Sequence, residues 1–309
     1  MFRIGWGVFV AALLIGCADA YGWGPGTHVQ LGTELLNQLW LLPAGMAALL
    51  LQQRRAFLYG NVAADVVLAK KMTRVKQLCH HWQTGFSILE QAGSDEQQAF
   101  ALGYLSHLAA DTVAHNKFLP RQMALSGSTI NFGHLYWELR ADAQVPVPCW
   151  NALRTTIRTD HPGARALLVH HLRDTLLSFR ANERVFYRMN LLVSMNSWRR
   201  SIAVWGRVSR WPLPESVVAA YGGESLERMV DVLSQGRRST VLHDDPNGNA
   251  ALGYALAQRR QLKQMKRARM SLGHVVSEAA AIHAVRSSDK TAKRLLNPDE
   301  TSAAVAGEN

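Results

Sequence analysis

Leu105-Ser106-His107-Leu108-Ala109-Ala110-Asp111-Thr112-Val113-Ala114-His115 is the stretch on which the reading of the fold turns. His107, Asp111 and His115 stand four apart, so at about 100° per residue each step drifts only about 40° and all three stay on one stripe of a helix. The rest of that helix is apolar. A second pair follows in Gly133-His134-Leu135-Tyr136-Trp137-Glu138, again a histidine and a carboxylate on one helical face. A His and an acid at that spacing can share one metal ion, and two such pairs on facing helices build a multinuclear site.

Outward from this stretch the periodicity stays helical. Thr33 to Leu42, Ala44 to Ala56, His81 to Gln91, Gln97 to Phe118 and His134 to Ala143 carry apolar residues at three- and four-residue spacing, and no segment sustains strand alternation. Breaks are expected at Gly24-Pro25-Gly26, Gly60-Asn61, Gly93-Ser94-Asp95, Ser126-Gly127-Ser128 and Val145-Pro146-Val147-Pro148. Beyond these, helices are predicted over Gly163 to Phe179, Asn182 to Val208 and Ala250 to Ala284, the last strongly basic, with a loop at His243 to Asn249. The fold class is all-α. The expected division is a signal peptide over 1–22, a multi-helix domain over 23–210, a helical basic region over 211–286 and a disordered tail over 287–309.

The chain of 309 residues is 48% hydrophobic and 18% charged, enough for a substantial core, which excludes a disordered protein or a disulfide-stapled miniprotein. Its net charge of +11 suggests an anionic partner, nucleic acid or lipid. The charge is unevenly placed. Residues 23–145 hold nine basic and eight acidic side chains, whereas residues 259–309 hold ten and five. Half of the 12 histidines, His28, His80, His81, His107, His115 and His134, fall in the near-neutral stretch, which is where chemistry is to be sought.

The N-terminus reads as an export signal: Arg3, an apolar run from Ile4 to Ile15, and small residues after it. Three processing points compete. Leu14-Ile15-Gly16-Cys17 resembles a lipoprotein box that would leave a lipidated Cys17; cleavage after Ala20 would leave Tyr21 first; cleavage after Gly22 would leave Trp23 first. The expected location is periplasmic or secreted. Cys79 and Cys149 could form one disulfide or stay as two buried thiols.

Three further positions offer ligands: Asp65 just past a turn, His80 or His81 at a helix start, and Trp23 with His28 near the mature start. In this order, Trp23, His28, Asp65, His80, His107-x3-Asp111, His115 and His134-x3-Glu138 resemble the zinc-dependent phospholipase C and S1/P1 nuclease superfamily. The resemblance covers about Trp23 to Ala143. It implies an all-α domain around three zinc ions. Asp65, His80, His107 and Asp111 would hold one, and His115, His134 and Glu138 a second. The α-amino group and carbonyl of Trp23, with His28 and a bridging Asp111, would hold the third. His80 is preferred to His81 because Trp82-Gln83 then occupies the aromatic-polar places after the family ligand. Two departures stand out: three residues rather than five separate Asp111 from His115, and the stretch from His80 to His107 is short.

The resemblance further implies hydrolysis of a phosphodiester by a metal-activated water, with Asp65 as the catalytic residue that orients or deprotonates it. The closing His134-x3-Glu138 favours phospholipase C. The Trp23-x4-His28 spacing is that of the nucleases, so single-stranded nucleic acid is the alternative substrate. A non-catalytic, membrane-associated zinc protein is the third reading, supported by the basic run Arg259 to Arg269. A phospholipid or membrane surface is the expected partner, with no defined protein partner.

Overall fold

The computed structural model describes residues 22–66, 79–126, 130–171 and 179–267. Thirteen α-helices are described, with no strand among the described residues: α1 Pro25–Leu36, α2 Ala44–Gln52, α3 Arg54–Ala63, α4 Trp82–Glu90, α5 Asp95–Val113, α6 Leu119–Ser126, α7 Ile130–Asp142, α8 Val147–Arg158, α9 Pro162–His171, α10 Phe179–Val193, α11 Asn196–Val208, α12 Glu215–Gln235 and α13 Asn249–Arg267. The all-α class expected from periodicity is the class observed. No described helix is long and apolar enough to cross a membrane.

Helix α5 is the axis of the molecule. Ser94 opens it, its Oγ accepting the amide of Gln97 while the Gln97 side chain accepts the amide of Gly93, and Asp95 and Glu96 place negative charge at the positive helix end. From Ala99 to Val113 every residue is buried. Helix α3 crosses it backbone to backbone: a Cβ at Gly60 would overlap the carbonyl oxygen of Phe100, and a Cβ at Gly103 would overlap that of Phe57. Helices α4 and α12 also pack on α5, and α1 lies on α3 and α8. Trp23, Trp137 and Trp150 share one continuous core with Tyr221, Leu226 and Met229 of α12, so the chain after residue 210 helps to bury the same interior.

The element boundaries differ from the sequence expectation in several places, among them the expected helix Ala44 to Ala56, which is broken at Gln53 between α2 and α3. Helix α1 begins at Pro25, eight residues before the expected start at Thr33, because proline suits the first helical turn and Asp142 caps it from a distance. The expected break at Gly60-Asn61 lies inside α3, where the glycine serves the close crossing with α5. The expected helix Asn182 to Val208 is two helices, α10 and α11. Met195 is extended between them, and Arg154 takes the carbonyl of Ser194. The expected signal peptide, the expected disordered tail and the part of the expected basic helix beyond Arg267 lie outside the described residues. Cys79 and Cys149 are both buried and both free thiols.

Candidate metal centre

The Gly60–Gly103 crossing brings the end of α3 against the middle of α5. There the Asn61 carbonyl lies 2.9 Å from His107 Nδ1. A carbonyl only accepts, so Nδ1 carries the hydrogen and the opposite nitrogen, Nε2, is left with its lone pair turned inward. Asp65 follows just past the end of α3, and His80 precedes α4 on a turn whose Cys79 carbonyl accepts the buried Tyr104 hydroxyl. His80 is buried, whereas its neighbour His81 is exposed at the N-cap of α4.

These elements converge on one point. His80 Nε2 is 3.1 Å from His107 Nε2, 3.2 Å from Asp65 Oδ1 and 3.4 Å from Asp111 Oδ2; His107 Nε2 is 3.2 Å from Asp111 Oδ2. On the other side of the same carboxylate, His28 Nε2 is 3.2 Å from Asp111 Oδ1, and the Trp23 amide is also 3.2 Å from that oxygen. The His28 and His107 rings stack with centroids 3.9 Å apart. Two triads thus share His107: His28, His107 and Asp111, and Asp65, His80 and His107.

A metal ion fits this donor set. Four ligands at about 2.0–2.1 Å in a tetrahedron stand about 3.3 Å from one another; four of the pairs among Asp65, His80, His107 and Asp111 are 3.1–3.4 Å apart, and Asp65 and His107 are 4.0 Å apart. Asp111 Oδ2 and both ring nitrogens of His28 are buried without an aligned hydrogen bond, although their neighbours are close. Lone pairs therefore face a common centre. Burial alone would push the Asp111 carboxyl up, but His107 and His28 outweigh it and hold the group well below the ordinary carboxylate range. Burial lowers His28, aided by the neighbouring His107. His107 is raised, because Asp111 and Asp65 together overcome the burial that lowers it. Such a field favours a positive charge at the centre.

The remaining expected ligands are less tightly gathered. His115 and His134 stand nearly perpendicular with ring centroids 5.2 Å apart, and Glu138 is buried one turn along α7 from His134. Among the described residues these three do not close into a triad as compact as the other two. His115 lies in a π turn, Ala114–Phe118, that interrupts the helix after α5. π turns of this kind occur often at functional sites, and here one accommodates the short Asp111–His115 spacing.

Several residues that position the centre had not been singled out from the sequence. The Pro246 carbonyl lies 2.5 Å from His115 Nδ1, which fixes the hydrogen on Nδ1 and leaves Nε2 as the donor atom. Asn247 Nδ2 donates to the His80 carbonyl at 2.9 Å, Asn116 Nδ2 to the Asp245 carbonyl at 2.9 Å, and Trp82 Nε1 to the Asp244 carbonyl at 3.0 Å. Asp245 ties the loop internally through the amides of Asn247 and Asn249. Gly248, at φ 59°, passes so close to His115 that a Cβ would sit 2.5 Å from that of the histidine. Trp23 is held by Ser225 of α12, whose Oγ accepts the indole N–H at 3.0 Å. Asn-Gly at 247–248 is recognisable turn chemistry, but nothing local reveals which residues it touches.

Residues 27–170 match the model of a family described as zinc dependent phospholipase C. The matched stretch is similar to a zinc-dependent phospholipase C domain. It contains His28, Asp65, His80, His107, Asp111, His115, His134 and Glu138, all the expected side-chain ligands; Trp23, expected to ligate through its backbone, precedes it. Neither a curated protein nor a solved structure matches the chain. The family supports a zinc-dependent hydrolase of the phospholipase type, with zinc as its metal. Parts of the chain beyond the matched stretch also contact its site residues or their neighbours: Trp23 before it, and α12 and the 244–249 loop after it.

Proposed function

We propose that this chain is an exported zinc-dependent phosphodiesterase that cleaves phospholipid headgroups. The observation that supports this most is the convergence of Asp65, His80, His107 and Asp111, most of them 3.1–3.4 Å apart and so close to the ligand spacing of a metal ion, inside a stretch that matches the phospholipase C family. His28 and Trp23 gather on the far oxygen of Asp111, so this carboxylate would help to hold metal on both of its sides. Zinc held there would supply Lewis acidity, lowering the pKa of water from 15.7 to about 7 and drawing off phosphoryl charge.

The protein's own groups divide the remaining work. Asp111, with its side chain wholly buried, acts as a fixed countercharge. Asp65 is the more accessible carboxylate, 9% exposed. Its Oδ1 faces His80 at 3.2 Å, while Oδ2 stands back at 4.0 Å from His107 and would be the oxygen to accept a proton from an attacking water. The backbone partners of His107 and His115 keep their rings in one tautomer throughout.

Export and maturation belong to the same reading. A Cβ at position 22 would overlap the Asp111 carboxylate, so only glycine fits between the leader and Trp23. Cleavage after Gly22 would free the Trp23 amine beside Asp111 as a third-zinc ligand. The test is hydrolysis of a phosphatidylcholine analogue by the zinc-loaded chain, with single-stranded DNA run in parallel. Headgroup release from the lipid supports the proposal; cleavage of DNA alone replaces it with the nuclease reading.

A further inference from the structure

The sequence directs attention to the basic C-terminal helix as a membrane-binding element, yet the described surface offers a better one. Between Glu183 and Glu215 the chain holds six arginines and no acidic residue. Within that span, α11 carries apolar side chains on both sides. Ile202 and the partly buried Trp198 face inward, while Val204, Trp205 and Val208 are 58%, 48% and 77% exposed. Ser197, Arg200 and Ser201 continue the same outward stripe at three- and four-residue spacing, and Arg207 and Arg210 flank it. Single exposed apolar residues are ordinary, but a helical cluster of three set among arginines is not.

Helix α11 packs against α7, which bears the expected ligands His134 and Glu138. The Trp205 and Tyr136 rings meet edge to face with centroids 5.0 Å apart, and Tyr136 is midway between His134 and Glu138 on α7. The Tyr136 hydroxyl lies 2.5 Å from Ser209 Oγ and accepts from Arg140, which fixes the C-terminal end of α11 on α7.

We propose that the outward face of α11 docks the protein on an anionic phospholipid bilayer, with Val204, Trp205 and Val208 entering the interface and Arg200 and Arg207 on the headgroups. This rests on the phospholipase reading of the metal centre. A helix with an apolar stripe, flanking arginines and low overall hydrophobicity is the pattern of an interfacial helix, and tryptophan favours the headgroup level. Nucleic acid would use the arginines but would leave the two valines without a partner.

The test uses the full zinc-loaded chain and vesicles of phosphatidylcholine alone or mixed equally with phosphatidylglycerol, read by cosedimentation. The wild type should bind the mixed vesicles at least tenfold more strongly than phosphatidylcholine alone. Val204→Ser/Val208→Ser should weaken binding to the mixed vesicles at least tenfold, and Arg200→Gln/Arg207→Gln should remove the preference for anionic lipid. Both variants should keep wild-type helicity, zinc content and hydrolysis of a soluble short-chain phosphatidylcholine. Undiminished binding by the valine variant would overturn the proposal, as would binding of a single-stranded oligonucleotide without vesicle binding. Vesicle binding through this face by a chain that hydrolyses no phospholipid would uphold the docking and refute the activity.

Discussion

His115 Nδ1 and the carbonyl oxygen of Pro246 meet at 2.5 Å across 131 positions of sequence, joining a residue of the stretch that matches the phospholipase C family to a loop outside it. Gly248 keeps that loop in place with φ 59°. Replacing it with valine adds left-handed strain of about 1–2 kcal/mol and a clash with His115. We expect Gly248→Val to lower zinc affinity about 10- to 100-fold, measured by competition with a chelator, while far-ultraviolet circular dichroism stays close to wild type.

Asp111→Asn removes the one carboxylate that reaches His28, His80, His107 and the Trp23 amide. Lipid hydrolysis should fall at least about a hundredfold and bound zinc should drop, with the helical content retained. Full activity in this variant would refute a bridging role.

Gly103→Ala addresses packing. The new methyl overlaps the Phe57 carbonyl, so α3 must move off α5. A loss of about 3 kcal/mol is expected, visible as a lower melting temperature. Because the same movement displaces Asn61 and Asp65, zinc affinity should fall in parallel.

Asp142 carries a pH signature. Its carboxylate accepts the Gly26 and Thr27 amides and the Thr27 hydroxyl, and burial pushes its pKa up to about 6 despite those hydrogen bonds. A raised carboxyl pKa means that the folded state holds the proton more tightly than the unfolded chain. The associated stability is therefore present below about pH 4 and is lost as pH rises through about 6, a change of about 3 kcal/mol. Asp142→Asn cannot ionise, so the stability of the wild type relative to it should decline between pH 4 and 7 in denaturant titrations. A constant difference would show that Asp142 is not shifted.

The sequence made the helical class and the metal stripe readable for a local reason: His107, Asp111 and the apolar residues between them repeat at the helical period. The resemblance prefers His80 to His81 on the aromatic-polar pair that follows; in the structure His80 is buried and His81 exposed. What remained illegible depends on distant contacts. Gly60-Asn61 looks like a turn until Gly103 is opposite it. Likewise Asp142, Ser225 and Pro246 acquire their roles only from partners more than 100 positions away.

The central claim is that the buried His and Asp groups hold a zinc cluster. Its most direct test is the zinc content of the purified full chain after dialysis, measured by plasma mass spectrometry together with protein concentration. The account predicts close to three zinc ions per chain; one or none would contradict it.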